Sequence, residues 1–141
     1  MISDELVQAD LISKLKTIST VTSILGDGVS GIRELQWQGD TFLYPCVRLD
    51  LEQNEYVFDE QERCQLYQIE FSLYIFSEER SSKQCSQIKG LLENYLTGKG
   101  WTGTYGKYTR LRLVDNMPAV REDATTWRSQ IKYQTRVQTL P

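Results

Sequence analysis

Hydrophobic residues recur along this chain at two different periods. Near the amino end Val7, Leu11, Leu15 and Ile18 fall at spacings of four, four and three, with Lys14 and Lys16 turned away. Such spacing lines one face of an amphipathic helix of about four turns. Ser3 stands where a cap is needed, and Asp4 and Glu5 place carboxylates in the first turn, at the positive end of the helix dipole. Ser19 offers a second cap, followed by a short apolar face of Val21, Ile24 and Leu25 and a stop at Gly26-Asp27-Gly28.

Beyond a short strand expected over 32–37 and a turn-like Gln38-Gly39-Asp40, the period changes to two. Val47, Leu49 and Leu51 alternate with Cys46, Arg48, Asp50 and Glu52. Tyr67, Ile69, Phe71, Leu73 and Ile75 alternate with Gln68, Glu70, Ser72, Tyr74 and Phe76. Leu111 and Leu113 oppose Arg110 and Arg112, and Ile131, Tyr133, Thr135 and Val137 oppose Lys132, Gln134, Arg136 and Gln138. Clean alternation is the mark of a half-buried antiparallel sheet. Between the long strand and the closing pair, Cys85, Ile88, Leu92 and Tyr95 form a second helical stripe, widened by Leu91 and Leu96. Ser77 or Ser81 can cap that helix, Glu78 and Glu79 would occupy its first turn, and Gly98 ends it. The order α-β-β-β-α-β-β predicts an α+β fold in two layers. A mainly antiparallel sheet of about four to five strands carries two amphipathic helices on one face.

Composition narrows the function classes. At 141 residues, 40% hydrophobic and 25% charged, the chain is expected to form a single domain over 1–141 with its own core. No apolar run reaches the ~18 residues of a membrane span, and the first ten residues have neither the basic nor the apolar stretch of a signal peptide. Cys46, Cys64 and Cys85 are an odd, widely spaced set that fits a reducing compartment better than a disulfide framework. The chain has no histidine, which removes the commonest general base and zinc ligand. No enzyme activity, cofactor or metal is therefore expected. The formal charge of −3 argues for no polyanion partner.

Several stretches invite a chemical reading. GKGWTG at 98–103 fits the dinucleotide fingerprint by letter, but it follows a helix and precedes a strand, the reverse of what a pyrophosphate site requires. Glu70 can pair across strands with Lys132, Arg136, Arg110 or Arg112, as ordinary sheet charges do. In EQNEYVFDEQERCQ at 52–65, Tyr56, Val57 and Phe58 form an apolar island among Glu52, Glu55, Asp59, Glu60 and Glu62. The acidic spacing matches no EF-hand loop, and the segment is expected to be a projecting hairpin arm. Its tip either meets another subunit or folds back on its own core. Trp37, Phe42 and Tyr44, and then Trp101, Tyr105 and Tyr108 in the glycine-rich loop 97–108, gather aromatics in presumed loops. With Lys99 and Lys107 the second set could stack on single-stranded nucleic acid, but no basic stripe accompanies it, and a protein interface is the expected use. Segment 115–127 is expected to be a hairpin or long loop available for contacts.

Four stretches together resemble the tail-terminator or tail-completion proteins of tailed bacteriophages. They are the amino-terminal helix with VTSILGDGVSGIRE, the strand YPCVRLDL, the strand and helix QIEFSLYIFSEERSSKQCSQIKGLLENYL, and the closing WRSQIKYQTRVQ. The resemblance implies a non-enzymatic virion protein, assembled in the host cytoplasm, that caps the tail tube as a hexameric ring. It would stop tail polymerisation and join the tail to the head or neck. Its partners would be copies of itself, tail-tube and sheath or neck proteins, and genomic DNA passing through the lumen without sequence recognition; no membrane is involved. Interface candidates are Tyr56, Val57, Phe58, Trp37, Trp101 and Tyr105; lumen or polar-face candidates are Arg48, Glu70, Lys132 and Arg136. Another neck component, such as a head-closure or head-tail joining protein, is the nearest alternative, and a small nucleic-acid-binding module a more distant one.

Overall fold

A computed structural model describes residues 2–36, 43–57 and 65–140. Helix α1 (Asp4–Lys16) begins as expected, with the Ser3 side chain accepting from the Leu6 amide. Its stripe of Val7, Leu11 and Leu15 is fully buried. Helix α2 (Ser19–Thr22) and a 3-10 turn at Gly28–Gly31 follow. Ser19 does not cap α2: Ile18 holds the cap position, because the buried Ile18 side chain draws the chain into the core one residue earlier.

The sheet has seven strands among the described residues, more than the alternation suggests, and it is mixed. The strands are β1 (Ile32–Glu34), β2 (Cys46–Val57), β3 (Leu66–Ser77), β4 (Trp101–Thr102), β5 (Gly106–Tyr108), β6 (Arg112–Arg121) and β7 (Trp127–Thr139). Their order is β1-β2-β3-β7-β5-β4, with β6 also on β7. Strand β1 is parallel to β2, Ile32 opposite Val47, so the sheet is mixed within a mainly antiparallel arrangement. A three-residue strand cannot declare its direction through alternation. Strands β2, β3 and β7 form the antiparallel centre, with Leu49 opposite Leu73 and Leu73 opposite Ile131.

Helix α3 (Lys83–Leu96) starts later than the serines suggest, with Ser82 at its cap and no side-chain cap bond. Ser77 is already engaged: its hydroxyl accepts from the Glu79 amide and donates to Gln84 Oε1, so Glu78 and Glu79 lie in a bend before the helix. Cys85, Ile88, Leu92 and Leu96 face the sheet. Both long helices lie on one apolar face, and their side chains join Leu49, Ile69, Phe71, Leu73, Ile131 and Tyr133 in a single core. Each such side chain, fully buried, is worth about 1.5–3 kcal/mol relative to exposure. Asn54 on β2 ties the amino terminus down, donating to Asp4 Oδ1 at 2.8 Å.

Two presumed loops are strands. Residues 112–121, expected to be partly loop, run as β6 along β7, with register shifts at Leu113/Asp115 and Met117/Val120. The second shift contains Pro118, whose missing N–H suits a bulge on an edge strand. The glycine-rich segment folds into the small β4–β5 hairpin, Trp101 opposite Tyr108.

Candidate assembly interface

The glycine-rich hairpin is anchored by a carboxylate that the sequence reading passes over. Asp10, on α1 and 3% exposed, accepts from the amides of Thr104 (2.9 Å) and Tyr105 (3.1 Å) and from the Tyr108 hydroxyl (2.9 Å). The position explains the miss and holds the clue: Asp10 lies three residues after Val7 and next to Leu11, at the border of the apolar stripe. A carboxylate there must be buried with partners. Gly103 leaves room for it, since a Cβ at that position would come within 2.6 Å of Asp10 Cγ. Gly98, at φ +77°, follows the helix end in a conformation that favours glycine. Burial and the Asp10 carboxylate push the Tyr108 phenol well above its ordinary range.

The hairpin is therefore fixed in place rather than loosely presented. Trp101 stacks on Tyr108, ring centroids 4.4 Å apart and nearly parallel, and is half-buried. The Lys14 ammonium lies 5.9 Å from the Trp101 ring and 5.5 Å from the Tyr95 ring. Beside it a cleft of about 440 Å³ opens between α1 and the hairpin, lined by Ser13, Lys14, Thr17, Trp101 and Thr104. Tyr105 remains exposed at the hairpin tip.

Of the other interface candidates, Tyr56 is exposed at 54%, its ring edge-on to Tyr67 at 5.5 Å, and Val57 is half-buried. Trp37 and Phe58 lie outside the described residues, as do Phe42, Cys64 and the tip of the 52–65 segment. Up to Val57 and Leu66 this hairpin belongs to the sheet, because Leu66 still pairs with Gln138 of β7.

Among the described residues β6 carries four exposed apolar side chains. Leu113, Val114, Met117 and Val120 are each about two-fifths exposed, on both faces of the strand. Among the described residues β6 pairs only with β7, so its outer edge presents free backbone donors and acceptors. It is held from beneath by α3: Lys89 Nζ donates to the Met117 carbonyl at 3.2 Å, and Asn116 Nδ2 donates to Glu93. The hairpin turn after it is closed by Asp123, which accepts from the amides of Thr125 and Thr126. The Thr125 bond foremost holds the Asp123 carboxyl below its usual range.

The polar sheet face gathers three of the four residues expected there. Lys132 bridges Glu52 (2.7 Å) and Glu70 (3.5 Å), while Gln134 Nε2 donates to Glu70 at 3.2 Å. Ser72 donates to Glu52 and accepts from Gln130. Burial pulls Glu52 upward, but the bonds from Lys132 and Ser72 outweigh it and leave the carboxyl below its ordinary value. Arg136 is exposed on the same face. Arg48 is the correction: at 4% exposure it faces no solvent, and its Nη1 donates to the carbonyls of Gly31 (2.9 Å) and Val47 (3.1 Å). Its guanidinium is bonded to the turn before β1, which alternation alone could not show. Cys46 and Cys85 are buried, and burial raises both thiols. Among the described residues no group of three Cys, Asp or Glu could hold a metal ion, and no helix is long and apolar enough to cross a membrane.

Fold and surface together define a small α+β domain with helices on one sheet face and a row of exposed apolar residues along one sheet edge. The same fold occurs in a solved chain of the virion of a native gene transfer agent particle. The likeness has a TM-score of 0.65, covers 94% of each chain, and comes with 13% sequence identity. No family profile and no curated protein sequence matches the chain.

Proposed function

We propose that this chain is a structural protein of a phage-like virion, and that within the virion it caps the tail tube as a ring. It would thereby end tail polymerisation and join tail to head. The observation that carries the virion reading is the fold shared over 94% of both chains with a component of a gene transfer agent virion. The finer, terminator reading is supported by the resemblance of the four sequence stretches and by the surface of the molecule. A closed ring needs heterologous contacts, one patch meeting a different patch on the next copy. Strand β6 supplies one patch, an open edge with Leu113, Val114, Met117 and Val120 beside it. The exposed Tyr56 on β2 and Tyr105 at the tip of the β4–β5 hairpin offer others. In this reading the protein is not an enzyme: it acts by shape and contact.

Native mass spectrometry and light scattering at tens of micromolar test the proposal, together with electron microscopy of the protein mixed with tail tubes. Closed rings of a fixed subunit number, seated on tube ends of uniform length, are expected. A strict monomer at every concentration that leaves tubes growing would end the terminator reading.

A further inference from the structure

The sheet topology assembles a row of cations that the sequence scatters over 30 residues of chain. Gln134, Arg136 and Gln138 alternate onto one face of β7. Arg112 of β6 lies opposite Gln134, and Lys107 of β5 lies opposite Gln138. Arg110, between the two strands, joins Arg112 and Arg136 around a concavity of about 250 Å³. Lys107, Arg110, Arg112 and Arg136 are all exposed.

Among the described residues none of the four has a carboxylate within ion-pair distance, unlike Arg128 with Glu122 and Lys132 with Glu52 and Glu70. Arg112 donates to the neutral Gln134 Oε1 instead. Sheets ordinarily set opposite charges across from one another, and like charges side by side are destabilising. This sheet does the ordinary thing at Lys132 and departs from it a few residues along the same strand. A chain of net charge −3 thus keeps a local excess of four positive charges at one end of its polar face.

We propose that this row is a site for the phosphodiester backbone of double-stranded DNA. Guanidinium groups match phosphate oxygens in a bidentate fork. The rest of the concavity is neutral: Gln68, with Thr109, Gln134 and Thr135, which are hydrogen-bonded within the protein. No apolar side chain lines it, so an acidic protein segment would find no pocket for the anchors that carry protein interfaces. No aromatic side chain lines it either, so it offers no platform for unstacked bases. What remains is a ligand that is all charge on its outside and is held without regard to sequence. The choice of DNA among such polyanions rests on the proposed place of the chain beside a DNA channel; the row itself does not.

The test is fluorescence anisotropy with labelled duplexes of about 30 base pairs in two unrelated sequences, titrated between about 50 and 200 mM NaCl. Both duplexes should bind alike, with a log–log salt slope of about −3.6 for four neutralised phosphates. R110Q/R112Q/R136Q should flatten that slope by about 2.7, while R80Q, away from the row, leaves it unchanged. If the triple variant fails to fold by circular dichroism, R110Q and R136Q singly should each remove about 0.9. An unchanged slope in the arginine variants overturns the site. Displacement of duplex by polyglutamate at equal charge concentration also overturns it, and makes an acidic protein segment the occupant. Rings that assemble without binding duplex end this inference and leave the proposed function standing, whereas duplex binding by a strict monomer does the reverse.

Discussion

The carboxylate of Asp10 and the hydroxyl of Tyr108 meet at 2.9 Å, joining the first helix to a hairpin 98 residues further along the chain. Two backbone amides, from Thr104 and Tyr105, complete the carboxylate's partners. Removing it strands a buried hydroxyl and two amide donors, each with a desolvation cost. Asp10→Ala is expected to destabilise the fold by about 3 kcal/mol. Asp10→Asn keeps the shape but turns an amide N–H₂ toward donors, so it should recover little of that loss. Urea unfolding followed by circular dichroism measures both. A loss under about 0.5 kcal/mol would mean that strand pairing alone holds the hairpin.

Gly103 and Gly90 make a matched pair. A methyl at position 103 would lie 2.6–2.9 Å from the Asp10 carboxylate atoms, whereas one at position 90, inside α3, would meet nothing within 4 Å. Gly103→Ala should cost about 1–3 kcal/mol, because either the carboxylate or the hairpin must shift. Gly90→Ala should stabilise by about 0.5–1 kcal/mol, since alanine removes the entropy penalty of a glycine in a helix. Opposite signs in thermal melts of the two variants are the expected result. Equal effects would show that the close approach at Gly103 is relieved at no cost.

Alkaline pH should unfold the protein in a defined order. Burial and the neighbouring Asp10 raise Tyr108, and burial raises Tyr133, Cys46 and Cys85. The unfolded chain then gives up protons that the folded chain keeps. Stability is intact below the ordinary values, about 8.5 for thiols and about 10 for phenols, and falls as pH rises above them. Urea midpoints should hold to about pH 8 and decline from there, with the steeper part beyond about pH 10. Tyr108→Phe should start lower, having lost the Asp10 bond, but decline less steeply. A midpoint that rises with pH in this range would contradict the buried, protonated state of these groups.

How far the sequence carries depends on whether a residue's burial repeats with a period. Strands β2, β3 and β7 and the stripes of α1 and α3 are legible because each buries one regular face: Ile69, Phe71, Leu73 and Ile75 are all at most 1% exposed. Strand β6 is legible only at its start, Arg112 and Leu113, for the opposite reason. It lies at an edge, its side chains are exposed on both faces, and Pro118 sits in its second register shift, so no period of two survives. Arg48 alternates as a polar-face residue should, yet it is buried and bonded to the Gly31 carbonyl, a tertiary fact with no local trace. The glycines of GKGWTG look like a phosphate loop because the requirements of a helix end and a close approach to Asp10 spell the same letters. The row of Lys107, Arg110, Arg112 and Arg136 becomes visible only once three separate strands lie side by side.

Strand β6 leads to the prediction that bears most directly on assembly. Its outer edge is unpaired among the described residues, and Val114 and Met117 are each 44% exposed. Soluble monomers protect such edges with charge, bulges or cover; β6 has two register shifts and Pro118, but Asp115 is the one charge between Leu113 and Val120. Neither residue contributes to the core cluster, so changing both should leave the monomer's stability within about 0.5 kcal/mol. Val114→Glu with Met117→Glu places like charges on the open edge and should move the protein from ring to monomer in light scattering. The far-UV spectrum and melting temperature should stay unchanged. Tyr56→Ser removes a second exposed apolar group and should weaken assembly in the same direction. Rings that persist in the β6 double variant would place the subunit contact elsewhere, and loss of folding would show that β6 supports the domain rather than its neighbours.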